Sequence, residues 1–270
     1  MNNPRDLVRS NETAWDRTAQ KYAPDVEHDV AFLREGGVAL FDTERRILGD
    51  LAECRRAVHL QCSHGLDALS LLNMGVSEIV GVDISRAMLA LAAQKSERWG
   101  RPATWVHADI LELPPSLDGT ADLVYTGKGA LPWVHDLERW ADVVRRLLRP
   151  GGRLYVFEGH PLNWVWEPGV PTHQLRADGR GYCDRDPKAN DGFPAAAAEQ
   201  FTPAGEDVAE AWEWQWTLGD VVTAAAEAGL VVERLEEHTE HFWPQFEQVG
   251  EAEADRLPHT FSLLARLPDV

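Results

Sequence analysis

Four short stretches of the 270-residue chain bring together residue types suited to holding a nucleoside-like ligand. The first, His59-Leu60-Gln61-Cys62-Ser63-His64-Gly65, is an apolar run that breaks into a tight turn before a helical pattern. Small residues in such a turn let backbone N–H groups approach the carboxylate of an amino-acid ligand. Asp83 follows His59 by 24 residues, close to the spacing of roughly 20 at which an acid meets ribose hydroxyls in dinucleotide folds. Asp109 is placed to accept a hydrogen bond from an adenine amino group, with Ala108 or Ile110 as apolar neighbours. Thr126 and Gly127 offer backbone to the far end of the same ligand. Each piece alone reads equally well as a turn or a helix cap, and their order and spacing give them weight.

The elements that must position these residues follow from hydrophobic pattern. Arg55–Leu60, Glu78–Asp83, Thr104–His107, Ala121–Tyr125 and Arg153–Glu158 read as strands, the second as a buried parallel one closed by an acid. Leu66, Leu69, Leu71 and Leu72 mark a helix between Gly65 and Met74, an alanine-rich helix runs from Ser85 to Trp99, and another spans Asp136 to Leu148. Arg149-Pro150-Gly151-Gly152 ends that helix in a tight turn. Ahead of the first strand lie an amphipathic helix from Asn11 to about Ala23 and a second helical segment from Val38 to Leu51. Residues 160–208 break the rhythm with Pro, Gly, Asp and single aromatics such as Trp164, Trp166, Tyr182 and Phe193, and read as an insertion over the active-site edge. The alternation Trp212-Glu213-Trp214-Gln215-Trp216 suits a strand; a helix over Leu218–Ala228, a strand over Leu230–Leu235 and a last strand near Thr260–Ala265 follow.

The expected architecture is a single α/β domain with a doubly wound, Rossmann-like, mostly parallel seven-stranded sheet, a C-terminal antiparallel hairpin and an N-terminal helical lid. Residues 1–54 would form the lid, 55–160 the cofactor-binding core, 161–211 the insertion and 212–270 the C-terminal strands and helix.

Composition narrows the function. Apolar residues make up 44% of the chain, with no run near the roughly 20 that a membrane-spanning helix needs. The first residues lack the pattern of a secretion signal, so a cytoplasmic protein is expected. Cys54, Cys62 and Cys183 are too few and scattered for a disulfide framework and read as reduced thiols. A formal net charge of -18 repels phosphate backbones, which argues against nucleic acid and anionic membrane as partners. His238 and His241, with Glu240 between them, lack a convincing third ligand, and no metal is expected.

Taken together, the stretches resemble the class I S-adenosylmethionine-dependent methyltransferase family, within it a group of actinobacterial-type small-molecule methyltransferases. The resemblance rests on Trp15-Asp16, His59 to Asp67, Val82-Asp83-Ile84-Ser85, Ala108-Asp109-Ile110, Tyr125 to Leu131, Leu148-Arg149-Pro150-Gly151-Gly152 and Glu158-Gly159-His160-Pro161. It covers almost the whole chain and is thinnest from Val165 to Ala211. It implies S-adenosylmethionine as cofactor, held by Gln61, Cys62, Ser63 and Gly65, with the ribose on Asp83 beside Ile84 and Met88. Asp109 and Ile110 would lie near adenine, Thr126 and Gly127 near the sulfonium, and Trp15 and Tyr22 on the lid. The usual first strand ends in an acid followed by three spaced glycines; here His59 stands at the acid position, and Gln61 and Ser63 replace two glycines. Backbone carbonyls near Gln61 or Thr126 would then meet the ligand's amino group.

Methyl transfer is an in-line displacement at a carbon already activated by the sulfonium, so the protein mainly aligns the partners and removes water. A general base is useful only for an acceptor that arrives protonated. The candidate base is His160, just past the fifth strand, with Glu158 to orient it; an equally plain reading of His160 is a polar cap before Pro161. Tyr125, Lys128, Trp133 and Trp164 are the candidate substrate-binding residues. Trp212, Trp214 and Trp216 on one strand face, with Trp243, suggest an aromatic wall, although alternating aromatics are more often core. The expected activity is methylation of an oxygen or nitrogen on a small molecule, of the kind used in specialised metabolism. A nicotinamide-dependent oxidoreductase shares the strand-turn-acid logic, but its pyrophosphate calls for the glycine-rich turn that is missing here. The altered turn also leaves open a regulatory protein that binds S-adenosylmethionine without catalysis.

Overall fold

The segment ahead of the first strand is largely helical because its apolar residues recur every three or four positions. In the computed structural model, which describes residues 3–167, 169–190, 210–241 and 248–269, it forms α1 (Pro4–Tyr22), α2 (Val26–Arg34) and α3 (Asp42–Leu48). The core then alternates β1 (Arg56–Leu60), α4 (Leu66–Asn73), β2 (Glu78–Asp83), α5 (Arg86–Trp99), β3 (Thr104–His107), β4 (Ala121–Gly127), α6 (Leu137–Leu147) and β5 (Leu148–Gly159). Beyond it come β6 (Lys188–Asn190), β7 (Ala211–Glu213), α7 (Leu218–Glu227), β8 (Val231–His238), α8 (Glu251–Ala254) and β9 (Thr260–Arg266).

The main sheet has seven strands in the order β3-β2-β1-β4-β5-β9-β8. The first five are parallel, and β9 runs antiparallel to both β5 and β8. This is the doubly wound sheet with an antiparallel C-terminal pair that the sequence predicts. One apolar layer, from Val58, Val124 and Val156 to Trp140 and Val144 of α6 and Ala225 of α7, fills one face. The other face packs Ala57, Tyr125 and Tyr155 against Leu69 of α4 and Leu48 of α3. Strand order reverses between β1 and β4, so a crevice opens beyond their carboxyl ends.

Side-chain caps fix the helix starts. Ser85 Oγ accepts from the Met88 N–H, Asp136 from the Arg139 N–H, and Thr217 and Asp220 form a reciprocal box at α7. Each such cap contributes about 1 kcal/mol.

Several boundaries differ from expectation. The predicted helix over Val38–Leu51 shrinks to α3, because Gly49 at φ 66° stops it and residues 38–41 are not helical, with Ala39 and Phe41 lining the crevice. Helix α2, with Val26, Val30 and Leu33 buried on one side, lies in a stretch to which the sequence pattern assigned no helix. Strand β5 absorbs Arg149-Pro150-Gly151-Gly152 as a register shift against β4, so the turn lies within the strand. Only Ala211–Glu213 of the Trp212–Trp216 run is a strand, and it pairs with β6 outside the main sheet. Phe193 and Trp243 lie outside the described residues.

Helix α1 is fastened down at several points. Asn11 exchanges two hydrogen bonds with the Trp212 backbone, at 2.9 and 2.7 Å, and Asp16 accepts from Ser85 Oγ and the Ala87 N–H at the start of α5. Asn11 is only 4% exposed, so Asn11→Ala leaves two buried backbone groups unpaired. Urea unfolding of this variant should show a loss of about 2–3 kcal/mol; a loss below about 0.5 kcal/mol would mean that the α1–β7 contact carries no stability.

Candidate active site

The turn after β1 keeps the backbone shape of a glycine-rich loop without its glycines. Gln61 (φ 57°), Ser63 (φ 49°) and Gly65 (φ 81°) are all left-handed, at a cost of roughly 1–2 kcal/mol for each non-glycine residue. Fixed hydrogen bonds offset that strain. Asp83 at the end of β2 accepts from the Ser63 N–H at 2.8 Å through one oxygen and from the Ser85 N–H at 2.8 Å through the other. Gln61 Nε2 donates to the Ala130 carbonyl at 2.9 Å. Gly65 alone has no room for a side chain: a Cβ there would lie 2.6 Å from Ala92 Cβ and 2.8 Å from the Trp105 ring.

A cavity of about 400 Å³ lies over these strand ends, within the usual size range of small-molecule sites. Gln61, Cys62 and Ser63 from the turn, Asp83 and Ile84 after β2, Asp109 and Ile110 after β3, and Gly127 and Lys128 after β4 all line it. Trp15 and Tyr22 of α1 face it from above. Trp15 meets Trp133 edge to face with ring centroids 5.2 Å apart, and Tyr22 stacks on His64 at 4.4 Å. Asp109 spends Oδ1 on the Leu111 N–H at 2.9 Å, so it caps a short turn while facing the cavity. Burial pushes Asp83 up to about 6, with its two backbone donors opposing.

One end of the cavity is crowded with ionisable groups from four elements and the loop after β4. His59 is 2% exposed, lies edge-on to the Tyr125 ring at 4.6 Å, and neither of its nitrogens has a hydrogen-bond partner. Burial pushes its pKa down to about 4, so the ring is neutral. Asp67 on α4 pairs with Lys128 at 2.9 Å, and Lys128 also donates to the Ala39 carbonyl. Burial works against the Asp67 charge, yet Lys128 and then His59 bring it below its ordinary value. Behind them the fully buried Glu44 accepts from the Tyr125 hydroxyl at 2.6 Å and the Phe41 N–H at 2.9 Å. Burial drives Glu44 up to about 7, with Lys128 opposing and Asp67 adding to the rise.

The structure moves several candidates away from the site. His160 does not line the cavity: its Nδ1 accepts from the Leu162 N–H at 3.1 Å and its Nε2 meets Glu237 at 2.8 Å, so it is a cap. Glu158 does not orient it. Its two oxygens take the N–H groups of Gly129, Ala130, Leu131 and Gly159 at 2.7–2.9 Å and so hold the loop after β4. Tyr125 lies beneath the cavity, bonded to Glu44, and Met88 is packed between α1 and α5. Gly65 and the fully buried Thr126 do not line the cavity either. Trp164 lines a second cavity of about 20 Å³ with Trp214 and Trp216, and no described residue of the insertion borders the main one. The tryptophans there are packing: Trp216 Nε1 donates to the Val134 carbonyl and the Trp214 N–H to that of Pro132. His238 bonds Ser262 and His241 stacks on His259 at 3.7 Å, and among the described residues no group of three potential ligands could hold a metal ion. Also among them, no helix is long and apolar enough to cross a membrane.

Sequence reasoning passed over Phe41, Asp67, Val134 and His135, all of which line the cavity. Asp67 was the one within reach, since it stands in the first turn of α4, directly after the binding loop.

Residues 58–156 match the family model of a methyltransferase domain. Two curated relatives match parts of the chain. The uncharacterized protein YafE of Escherichia coli K12 is 34% identical over 112 residues, 40% of this chain and 54% of that protein. A demethylmenaquinone methyltransferase of Thermus thermophilus is 39% identical over 85 residues, 32% and 38% of the two chains. The chain therefore spans about half or less of the length of these relatives. An S-adenosylmethionine-dependent methyltransferase structure from Mesorhizobium loti superposes with a TM-score of 0.60 at 24% identity, over 83% of this chain and 95% of that one. The fold is that of the class I S-adenosylmethionine-dependent methyltransferases, and the match to the methyltransferase-domain model spans residues 58–156 of its core.

The cavity's residues fit that cofactor. Carboxylates stand at the ends of β2 and β3 with Ile84 and Ile110 beside them, and the orphaned atoms His59 Nδ1, His59 Nε2 and Gln61 Oε1 mark one end as built for a polar group.

Two variants test the turn. Gly65→Ala should cost at least about 3 kcal/mol in thermal or urea unfolding, from strain plus collision, whereas Ser63→Gly should stay within about 1 kcal/mol of wild type. Equal costs would refute the account of why only Gly65 is a glycine. A third variant tests Glu44. Its folded value of about 7 lies above the ordinary 4.5, so its contribution is fully present below pH 4.5 and is lost as pH rises through 7. Glu44→Gln should gain about 3 kcal/mol relative to wild type across that window; parallel stability profiles would show that Glu44 is not held protonated.

Proposed function

We propose that this chain transfers the methyl group of S-adenosylmethionine to an oxygen or nitrogen of a small molecule. The observation that carries the reading is the split character of one cavity. Its floor, from Gln61 and Ser63 through Asp83 to Asp109, is a row of polar groups at successive strand ends. Its lining also includes Val8, Trp15, Leu111, Trp133 and Val134, which are apolar or aromatic, together with His135.

The bound cofactor supplies a carbon activated toward displacement by its sulfonium. The chain's residues have the remaining tasks. Asp83 and Asp109 orient the nucleoside, and the floor fixes the direction in which the methyl group points. Trp15 and Trp133 close over the acceptor and keep water from the reacting atoms. An apolar wall favours a neutral acceptor, an amine with a free lone pair or a hydroxyl on a flat ring, over a phosphorylated one. With His160 bound to Glu237 and the Leu162 N–H, and Glu158 to the loop after β4, the chain's contribution to transfer is alignment.

Calorimetry separates this reading from a dinucleotide enzyme. S-adenosylmethionine and S-adenosylhomocysteine should each bind at one site per chain, and NAD should not bind measurably. Tight NAD binding together with no binding of either adenosyl compound would overturn the proposal.

A further inference from the structure

Transfer to oxygen or nitrogen makes one demand on the lining that meets the acceptor. The reacting atom gives a lone pair to the methyl carbon, the carbon–sulfur bond breaks with its electrons left on sulfur, and the acceptor's N–H or O–H proton is released to solvent. Until then that proton is a hydrogen-bond donor, and among apolar side chains it needs a partner.

Helix α1 lines the cavity with Val8, Asn11 and Trp15, which share one face at successive turns. Asn11 has both ends of its amide on the Trp212 backbone. Trp133 and Val134 of the loop after β4 add apolar surface, and the indoles of Trp15 and Trp133 can only donate. His135, next on that loop, is the lining side chain beside them that can accept. It is half-buried, its ring meets that of Trp214 with centroids 5.9 Å apart, and among the described residues neither ring nitrogen has a hydrogen-bond partner. Other ionisable groups of the lining are engaged: Asp67 pairs with Lys128, His64 lies against the Lys95 ammonium, and Asp83 and Asp109 hold backbone N–H groups. His59 also lacks a hydrogen bond, but it is buried on β1 and lies edge-on to the Tyr125 ring.

The backbone around His135 is pinned on both sides. Glu158 holds the N–H groups of Gly129, Ala130 and Leu131. The Pro132 carbonyl accepts from the Trp214 N–H at 2.7 Å, and the Val134 carbonyl from Trp216 Nε1 at 2.9 Å. Directly after it, Asp136 caps α6 through the Arg139 N–H at 3.0 Å. A group held this way loses little freedom when it takes up a partner.

We infer that His135 is the acceptor-binding residue of the transfer: its unprotonated ring nitrogen accepts the hydrogen bond of a phenol-like hydroxyl or aniline-like amine and so fixes how the lone pair of that atom is turned. The inference rests on the methyl-transfer reading and deepens it, since it favours flat-ring acceptors that carry a donor over rings of the same outline that carry none. Trp15 and Trp133 supply the aromatic surface for the ring itself.

The probes are phenol and aniline, each with one donor group, and toluene, with none. Their Kd values are measured by NMR titration with S-adenosylhomocysteine bound, and the preference for phenol and aniline is read as a ratio to toluene. That preference should fall about fivefold in His135→Phe and by less in His135→Asn, whose amide oxygen still accepts. In the wild-type protein, the His135 ring nitrogens should shift in the ¹⁵N spectrum with phenol and stay in place with toluene. Both variants should bind S-adenosylhomocysteine within about twofold of wild type, which also shows that they are folded. An unchanged preference, equal ring shifts with phenol and toluene, or no binding of any of the three rings would overturn the role of His135 and leave the cofactor reading intact. Wild-type protein that fails to bind S-adenosylhomocysteine would remove both.

Discussion

The carboxylate of Asp83 ties together the two turns on which the cavity floor depends. One oxygen holds the Ser63 N–H after β1, the other the Ser85 N–H after β2, and Ser85 in turn caps α5 and bonds Asp16 of α1. Through this one side chain the left-handed backbone at Ser63, the start of α5 and the seating of α1 are fixed relative to one another. The acid is 7% exposed and carries the cost of burial in its raised pKa. Its remaining lone pairs are what the proposed function would assign to a ribose hydroxyl.

The same economy runs through the other strand ends. Glu158 gathers four backbone N–H groups, Asp109 caps the turn after β3, and Glu44 joins α3 to Tyr125 on β4. Acidic side chains at the carboxyl edge of the sheet serve first as anchors for backbone, and loops held this firmly need little rearrangement when a ligand arrives. That arrangement suits a displacement whose driving force resides in the methyl donor, where placement within a fraction of an ångström matters more than proton transfer.

Periodicity disclosed the parallel core because each buried strand is a continuous apolar run and each helix repeats its leucines or alanines on one face. Asp83, Asp109 and Gln61 were legible for the same reason: each stands where a recognisable strand ends. The errors fell where a residue's role depends on which atom it touches. Glu158 and His160 have the right chemistry and the right address, but their side chains turn to backbone N–H groups and to Glu237, which no spacing rule encodes. His59 is the converse case. As a departure from an acid position it looked like a defect, and only its orphaned nitrogens and the nearby Asp67 show a coherent polar end. The three tryptophans of residues 212–216 alternate like a wall, yet the run leaves strand geometry after Glu213, and two of them fill space behind the 130–135 loop.

Trp105 gives the glycine-poor turn a further meaning. Its ring occupies the volume that a side chain on either Gly65 or Gly81 would need, so the glycine that opens α4 and one within β2 answer to one indole. These three positions therefore form a coupled set in which substitutions are non-additive: a smaller residue at 105 opens a void alone, yet it would relieve the indole's share of the collision at 65 or 81, leaving Ala92 Cβ at 2.6 Å from a Cβ at 65 and Cys62 Sγ at 2.8 Å from one at 81. The freedom that let Gln61 and Ser63 displace glycine is thus local and steric, and the route to losing the last glycine of the turn passes through two neighbours at once, Ala92 on α5 and Trp105 on β3.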